Sequence, residues 1–399
     1  MKKLLCIILS IVTLFTINTT TFAATDNRYK NLSEITTEEL SNYALNFAKE
    51  VDESLALSTG KMIPIYDSND RLVGYSIEYY IDNTPYGYIN LNFTYEDPVV
   101  EFVIQKNARS LYTYIEDDVQ ATNSACKVEE KLYITSPDEY SVVFKDINQQ
   151  KFYFNANDGK ITANGYNAKK NAVISSIDTY SSTNNTKYDS HSDLFNSSYE
   201  AGSIIVTEPK YTSKYSSDKS MLSQQDIMLS TYKYACGVVA LTEIANQEGI
   251  LKNSDIADTF NALWNATSTK VETVETFYNI SVSCGSTYDY KLAKGMKSYC
   301  NDMGKTNTTT TTNSNPTFSF FTDAISNNYS ATLSYRIYTA DGAKSGHTVN
   351  VFGYCTATKS GTSSNYLIVA DGWYNDAPKY MNYSSIDFAN TYGVKYIIQ

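Results

Sequence analysis

The chain has 399 residues, 42% of them hydrophobic, and a net charge of −11. So acidic a protein is a poor binder of nucleic acid or of anionic membranes, and beyond the first two dozen residues no apolar stretch is long enough to span a bilayer. Six cysteines in so long a chain are too few for a disulfide scaffold.

At the N-terminus Lys2 and Lys3 precede the apolar run "LLCIILSIVTLF" and the small-residue stretch "TFAA". This pattern predicts a secretory signal peptide over 1–24 and an extracellular protein, with association to the cell wall left open. Removing Cys6 with it leaves Cys126, Cys236, Cys284, Cys300 and Cys355, an odd number, so at least one thiol is free. The rest of the chain exceeds one typical domain.

Residues 25–171 read as a helix plus an antiparallel sheet. Over 33–56, Thr36 and Glu39 fit a capping box, and Leu40, Tyr43, Phe47 and Val51 share one face. Strand-like runs follow: "MIPIY", "RLVGYSIEYYI", "YGYINLNF" and "PVVEFVIQ", with a hairpin around Asp146–Gln149. Residues 172–222 are rich in Ser, Thr, Asn and Tyr with little apolar periodicity, and read as an exposed linker. Lys210, Lys214 and Lys219 offer sites for a protease in its later part.

Residues 223–399 change to mixed helix and strand. Helices are predicted from Cys236 to Glu248, over "SDIADTFNALWNA" with Asn253 or Ser254 as cap, over "YKLAKGMKSYCNDMG", and over "FSFFTDAISNN". "NTTTTTTNSNP" reads as a loop. Strands are expected at "SATLSYRIY", "HTVNVFGYC", "YLIVADGWY", "PKYMNYS" and "VKYIIQ". Helices first and strands last give an α+β arrangement.

The chemistry rests on three residues. The chain has only two histidines, His191 in a polar stretch and His347 at the head of an apolar strand. Cys236 opens a helix, where free N–H groups and the helix dipole favour a thiolate and are expected to lower its pKa. His347 would take the thiol proton and return it to a leaving amine. Asp371, at the end of another strand, would bind the other ring nitrogen and fix the tautomer. Taken singly, each residue fits a bland role: a small buried thiol, a strand histidine, a turn aspartate. Two distant histidines and no close cysteine pair argue against a metal site, and no cofactor motif is present.

These residues resemble the papain-like cysteine peptidases of bacteria, nearest the streptopain and staphopain branch and the secreted relatives of the bacteriocin-processing peptidases. "YACGVVALTEIAN" looks like their nucleophile helix, "GHTVNVFGY" like their histidine strand, and "ADGW" like their Asn/Asp-x-Trp. The resemblance covers 222–399 and implies a papain-like catalytic domain acting on a protein or peptide substrate. It casts Asp371 as the group that orients His347, and Trp373 as the shield of that bond. The family usually places a glutamine about six residues before the cysteine to complete the oxyanion hole. Ser230 stands there, with Gln224 and Gln225 further upstream and Tyr232 nearer, so the second donor is unassigned. A weaker likeness of the strands at 61–93 to streptopain propeptides implies that residues 25–171 are a pro-region inhibiting in cis, with activation by cutting in 172–222. Two other functions stay open: a transglutaminase or acyltransferase with the same three residues, and a non-catalytic, tyrosine-rich binding protein on a degenerate peptidase fold.

Overall fold

The computed structural model describes residue 32, residues 35–162 and residues 204–399, apart from short stretches at 68–69, 96, 123–126, 137–138, 147, 156–160, 216–220, 278–279, 339–343, 360–361, 374–376 and 385–389. The expected signal peptide, His191, Cys126 and most of the expected linker lie outside the described residues. The architecture is α+β, with seven helices and one large sheet among the described residues.

Helix α1 (Thr37–Val51) begins on the expected capping box, with Thr36 and Glu39 each satisfying the other's backbone N–H. Its face of Leu40, Tyr43, Ala44, Phe47 and Ala48 is buried. That face lies against a meander of strands β1 (Ser58–Tyr66), β2 (Leu72–Ile81), β3 (Thr84–Asn92) and β4 (Val99–Ile104). Tyr79 on β2 donates from its hydroxyl to the carbonyl of Ala44, 2.9 Å away. Helix α2 (Leu111–Thr122) follows, then β5 (Lys127–Ser136), β6 (Glu139–Lys145), β7 (Lys151–Asn155) and β8 (Ile161–Thr162). The turn between β6 and β7 falls at the expected Asp146–Gln149 hairpin. Helix α2 is capped by Ser110, whose hydroxyl accepts from the Thr113 N–H at 3.3 Å. The cap is tied in turn to the buried Glu78, which accepts from the N–H and hydroxyl of Ser110 and from the hydroxyl of Thr113.

The expected linker is not wholly separate from the fold. Strands β9 (Ile204–Val206) and β10 (Lys210–Tyr211) both pair with a long strand of the C-terminal region, and Tyr211 and Tyr215 stack in turn towards Phe352. Next come α3 (Gln224–Thr231), β11 (Lys233–Tyr234), α4 (Cys236–Gln247), a short 3-10 turn, α5 (Ile256–Ala266), the hairpin β12 (Lys270–Phe277) and β13 (Ile280–Ser286), and α6 (Asp289–Asp302). The cap of α5 is Asp255, one residue beyond the expected Ser254. β14 (Thr309–Asn313), α7 (Phe318–Ser326), β15 (Ser330–Tyr338), β16 (Lys344–Lys359), β17 (Thr362–Ala370), β18 (Lys379–Asn382) and β19 (Tyr392–Ile397) complete the chain. The threonine run expected to be a loop is strand β14, paired antiparallel with β19. Threonine is β-branched, and an edge strand exposed on one side tolerates its hydroxyls. Strands β11, β13 and β12 form a small second sheet among the helices.

The large sheet runs β14-β19-β15-β16-β17-β18-β4-β3-β2-β1-β5-β6-β7-β8 without a break. The two halves expected to be separate domains therefore join through β18 and β4, where Tyr380 pairs with Phe102 and Met381 with Glu101. Their apolar core is also shared. Leu40, Phe47, Ile77, Leu91 and Phe102 from the N-terminal half pack in one cluster with Phe352, Cys355, Tyr366, Ile368 and Tyr380 from the C-terminal half. The Phe102 and Tyr380 rings stack at 4.4 Å, and the hydroxyl of Tyr366 donates to Asp97, 3.0 Å away.

Candidate active site

Cys236 is the first residue of α4. Ala235 before it is extended, and its carbonyl accepts from the N–H groups of Val238 and Val239, each at 3.0 Å. Gly237 follows because the helix start is crowded: a Cβ there would come within 3.1 Å of Leu292. The thiol is half-buried, and its Sγ lies 3.5 Å from the carbonyl oxygen of Gly346, the residue before His347. Helix α4 and strand β16 thus bring the thiol against the strand that carries the imidazole. The helix start does not lower the thiol's pKa as the sequence suggests. Burial raises it above its usual 9.0, and the hydrogen bonds from Thr348 and the Gly237 backbone only partly oppose that, with the nearby carboxylate of Asp289 adding to the rise.

His347 lies on β16 opposite Tyr335 on β15. Its ring stacks on Trp373 at 3.9 Å, and the Tyr335 ring meets it edge-on at 5.6 Å. Nε2 lies 2.9 Å from the backbone carbonyl of Asp371. A carbonyl can only accept, so this bond places the proton on Nε2 and leaves Nδ1 of the neutral ring unprotonated. Burial pushes the imidazole pKa down to about 3, although Asp371 acts in the opposite sense. Both shifts favour the uncharged thiol and the uncharged imidazole in the resting site.

Asp371 meets His347 differently from expectation, through its main chain. The carboxylate itself is engaged elsewhere: Oδ1 accepts from the Trp373 N–H at 3.0 Å, and Oδ2 pairs with Lys379 Nζ at 2.8 Å. Burial alone would raise this carboxyl, but the Lys379 ammonium and the Trp373 N–H hold it below 3.8. Gly372 between them has φ +77°, in the left-handed region, which lets the chain turn back and present both groups of Asp371.

Two residues that the sequence reading did not assign belong here. Lys379 Nζ, which pairs with Asp371, also lies 5.3 Å from the centre of the Trp373 ring, a cation–π contact that holds the ring in place. Gln224, at the start of α3 and twelve residues before Cys236, is buried, and its backbone N–H donates to the Gly372 carbonyl at 2.6 Å. Neither atom of its side-chain amide has a hydrogen-bond partner among the described residues. The short α3 and β11 account for the extra spacing, which hid this glutamine from a motif read at six residues. Cys300 and Cys355 are buried and Cys284 half-buried, and none of the three is in a disulfide among the described residues. Burial also raises the pKa of Cys300 to about 11 and of Cys355 to about 12.

No helix of the described residues is long and apolar enough to cross a membrane. No protein-family model matches this chain, and no curated protein matches it significantly.

Proposed function

We propose that the protein is a secreted cysteine endopeptidase of papain-like type, with Cys236 as nucleophile and His347 as base. The observation that carries this reading is the contact of the helix-initial thiol of Cys236 with Gly346, beside an imidazole whose Nε2–H is tied to the Asp371 carbonyl under Trp373. In the reaction, Nδ1 of His347 takes the thiol proton as Sγ attacks the substrate carbonyl. The Cys236 N–H and the Gln224 amide hold the oxyanion, and the imidazolium then gives the proton to the leaving amine. Water, deprotonated by the same imidazole, hydrolyses the thioester and restores the thiol.

Within this reading residues 25–171 are a pro-region, and the chain is a zymogen cut somewhere in 172–222. The neutral thiol and imidazole fit a resting form. The shared core adds a condition. Phe352, Tyr366, Ile368 and Tyr380 would meet water if the N-terminal half left, at about 1.5–3 kcal/mol for each large apolar side chain. Cutting the linker therefore leaves the two pieces associated.

The test is labelling of the purified protein with an epoxysuccinyl inhibitor, followed by mapping of the modified residue. Exclusive modification of Cys236 with release of new amino termini from a protein substrate is expected. Isopeptide formation in place of free amino termini would assign a transglutaminase instead. A Cys236 that reacts no faster than an ordinary free thiol would make this a non-catalytic binding protein.

A further inference from the structure

Lys379 connects the candidate site to the N-terminal half. Its Nζ sits between Asp371 Oδ2 at 2.8 Å and Glu101 Oε2 at 3.1 Å, and all three side chains are buried, at 6%, 8% and 2% exposure respectively. Glu101 lies on β4, opposite Met381 of β18. It is fixed from the neighbouring strand as well, because its Oε1 accepts from Asn90 Nδ2 at 2.8 Å and from the Tyr88 hydroxyl at 3.3 Å. A buried ammonium with Asp371 as its sole partner would cancel the charge of that carboxylate. With a second carboxylate present, the three groups carry a net charge of −1. Asp371 favours the protonated ring that must form during catalysis and the Lys379 ammonium opposes it, so a second carboxylate on Lys379 offsets that opposition. Other charged groups on the thiol side are Asp289, which acts on Cys236, and Arg336, which acts on Asp289. The remaining faces of His347 meet the uncharged rings of Tyr335 and Trp373.

We propose that Glu101, carried on a strand of the N-terminal half, is a positioning residue of the Cys236–His347 site: it shares the Lys379 ammonium and so leaves a net negative charge beside His347. The proposal rests on the thiol chemistry proposed above. It gives the N-terminal half a constructive part in the site, where a purely inhibitory pro-region would have none. It also requires that half to stay bound after the linker is cut.

The charge count makes the test quantitative. Glu101→Gln brings the trio to 0. The pair Glu101→Gln with Lys379→Met returns it to −1, the wild-type value. The readout is the rate of Cys236 alkylation by iodoacetamide in the full chain, mapped to that residue, from pH 5 to 10. Glu101→Gln is expected to slow alkylation about tenfold at pH 7, by lowering the part of the profile in which the thiolate forms only by proton transfer to His347; direct ionisation of the thiol at high pH is not made harder, because removing a negative charge does not raise a thiol pKa. The double variant is expected to recover both the rate and the profile. A Glu101→Gln protein that is labelled at the wild-type rate with an unchanged profile overturns the proposal. One labelled faster also overturns it and makes Glu101 part of an inhibitory lock. If Glu101→Gln does not fold, the double variant decides alone: a wild-type profile supports the proposal and a lowered one defeats it. A wild-type Cys236 no more reactive than Cys284 would instead defeat the proposed peptidase chemistry, leaving the three-charge contact as a purely structural one.

Discussion

At the level of single residues, the thiol carries the bond-making step and the imidazole its proton. Cys236→Ala is expected to lower peptide hydrolysis on the order of 10³-fold or more with an unchanged circular dichroism spectrum; near-native turnover would sink the mechanism. Gln224→Ala is expected to lower kcat by about 10²- to 10³-fold with little change in KM, because an oxyanion donor acts mainly in the transition state. His347 adds a stability signature. Its folded pKa is depressed to about 3 from 6.5, so between those values the unfolded chain binds a proton that the folded chain does not. Stability therefore falls as pH drops through this window, by up to about 1.4 kcal/mol per pH unit. Urea midpoints measured at pH 7 and pH 5 should differ, and His347→Gln should flatten the difference. Equal slopes in both proteins would remove the buried neutral imidazole from the account.

Among the elements, the turn from β17 to β18 concentrates most of the site's geometry. It holds the imidazole by a carbonyl, which no side-chain substitution removes, so Asp371→Ala should lower activity without abolishing it. Asp371→Asn should be milder, because an amide oxygen still accepts from the Trp373 N–H. Gly372→Ala should be costly for a different reason. Its φ of +77° is strained for alanine, and the new Cβ would stand 3.2 Å from Val239 Cγ1 on α4. A loss of about 1–2 kcal/mol in urea denaturation is expected, together with reduced activity as α4 and the turn are pushed apart. An unchanged midpoint would mean that the turn adopts another backbone conformation. This scale also separates what a sequence discloses from what it hides. Cys236, His347 and Asp371 are legible because histidine is scarce and each sits at an element end. The α1 cap is legible because Thr36 and Glu39 are three residues apart. Helix α2 is not, because the buried carboxylate that holds its Ser110 cap, Glu78, is 32 residues before it in sequence. The hairpin β12–β13 and strand β14 are polar and partly exposed, so no apolar alternation marks them. Lys379 and Glu101 look like ordinary charged residues until β18 and β4 pair and bury them together.

On the scale of the whole molecule, the break in composition at 172–222 suggests two domains, yet sheet and core run across it. A local composition reports solvent exposure of a connection; it carries no information on whether the pieces it connects share an interior. The expected outcome is that limited proteolysis within 172–203 yields two fragments that co-elute in gel filtration and separate only in denaturant. Fragments that part under native conditions would restore the picture of an independent, dissociable pro-region, and isolated 25–200 should then inhibit the remainder.

The strand order also fixes when this chain can fold. Glu101 and Tyr380 belong to neighbouring strands, but almost three hundred residues separate them in sequence. A ribosome delivers β4 long before β18, so the edge of β4 waits unpaired while the rest is made. Loop closure over such a span is slow, and an unpaired strand edge is open to wrong partners in the meantime. The late arrival of β18 thus makes completion of the N-terminal half a late event of folding, and a chain stopped before residue 379 should accumulate as aggregate instead of as a smaller folded domain.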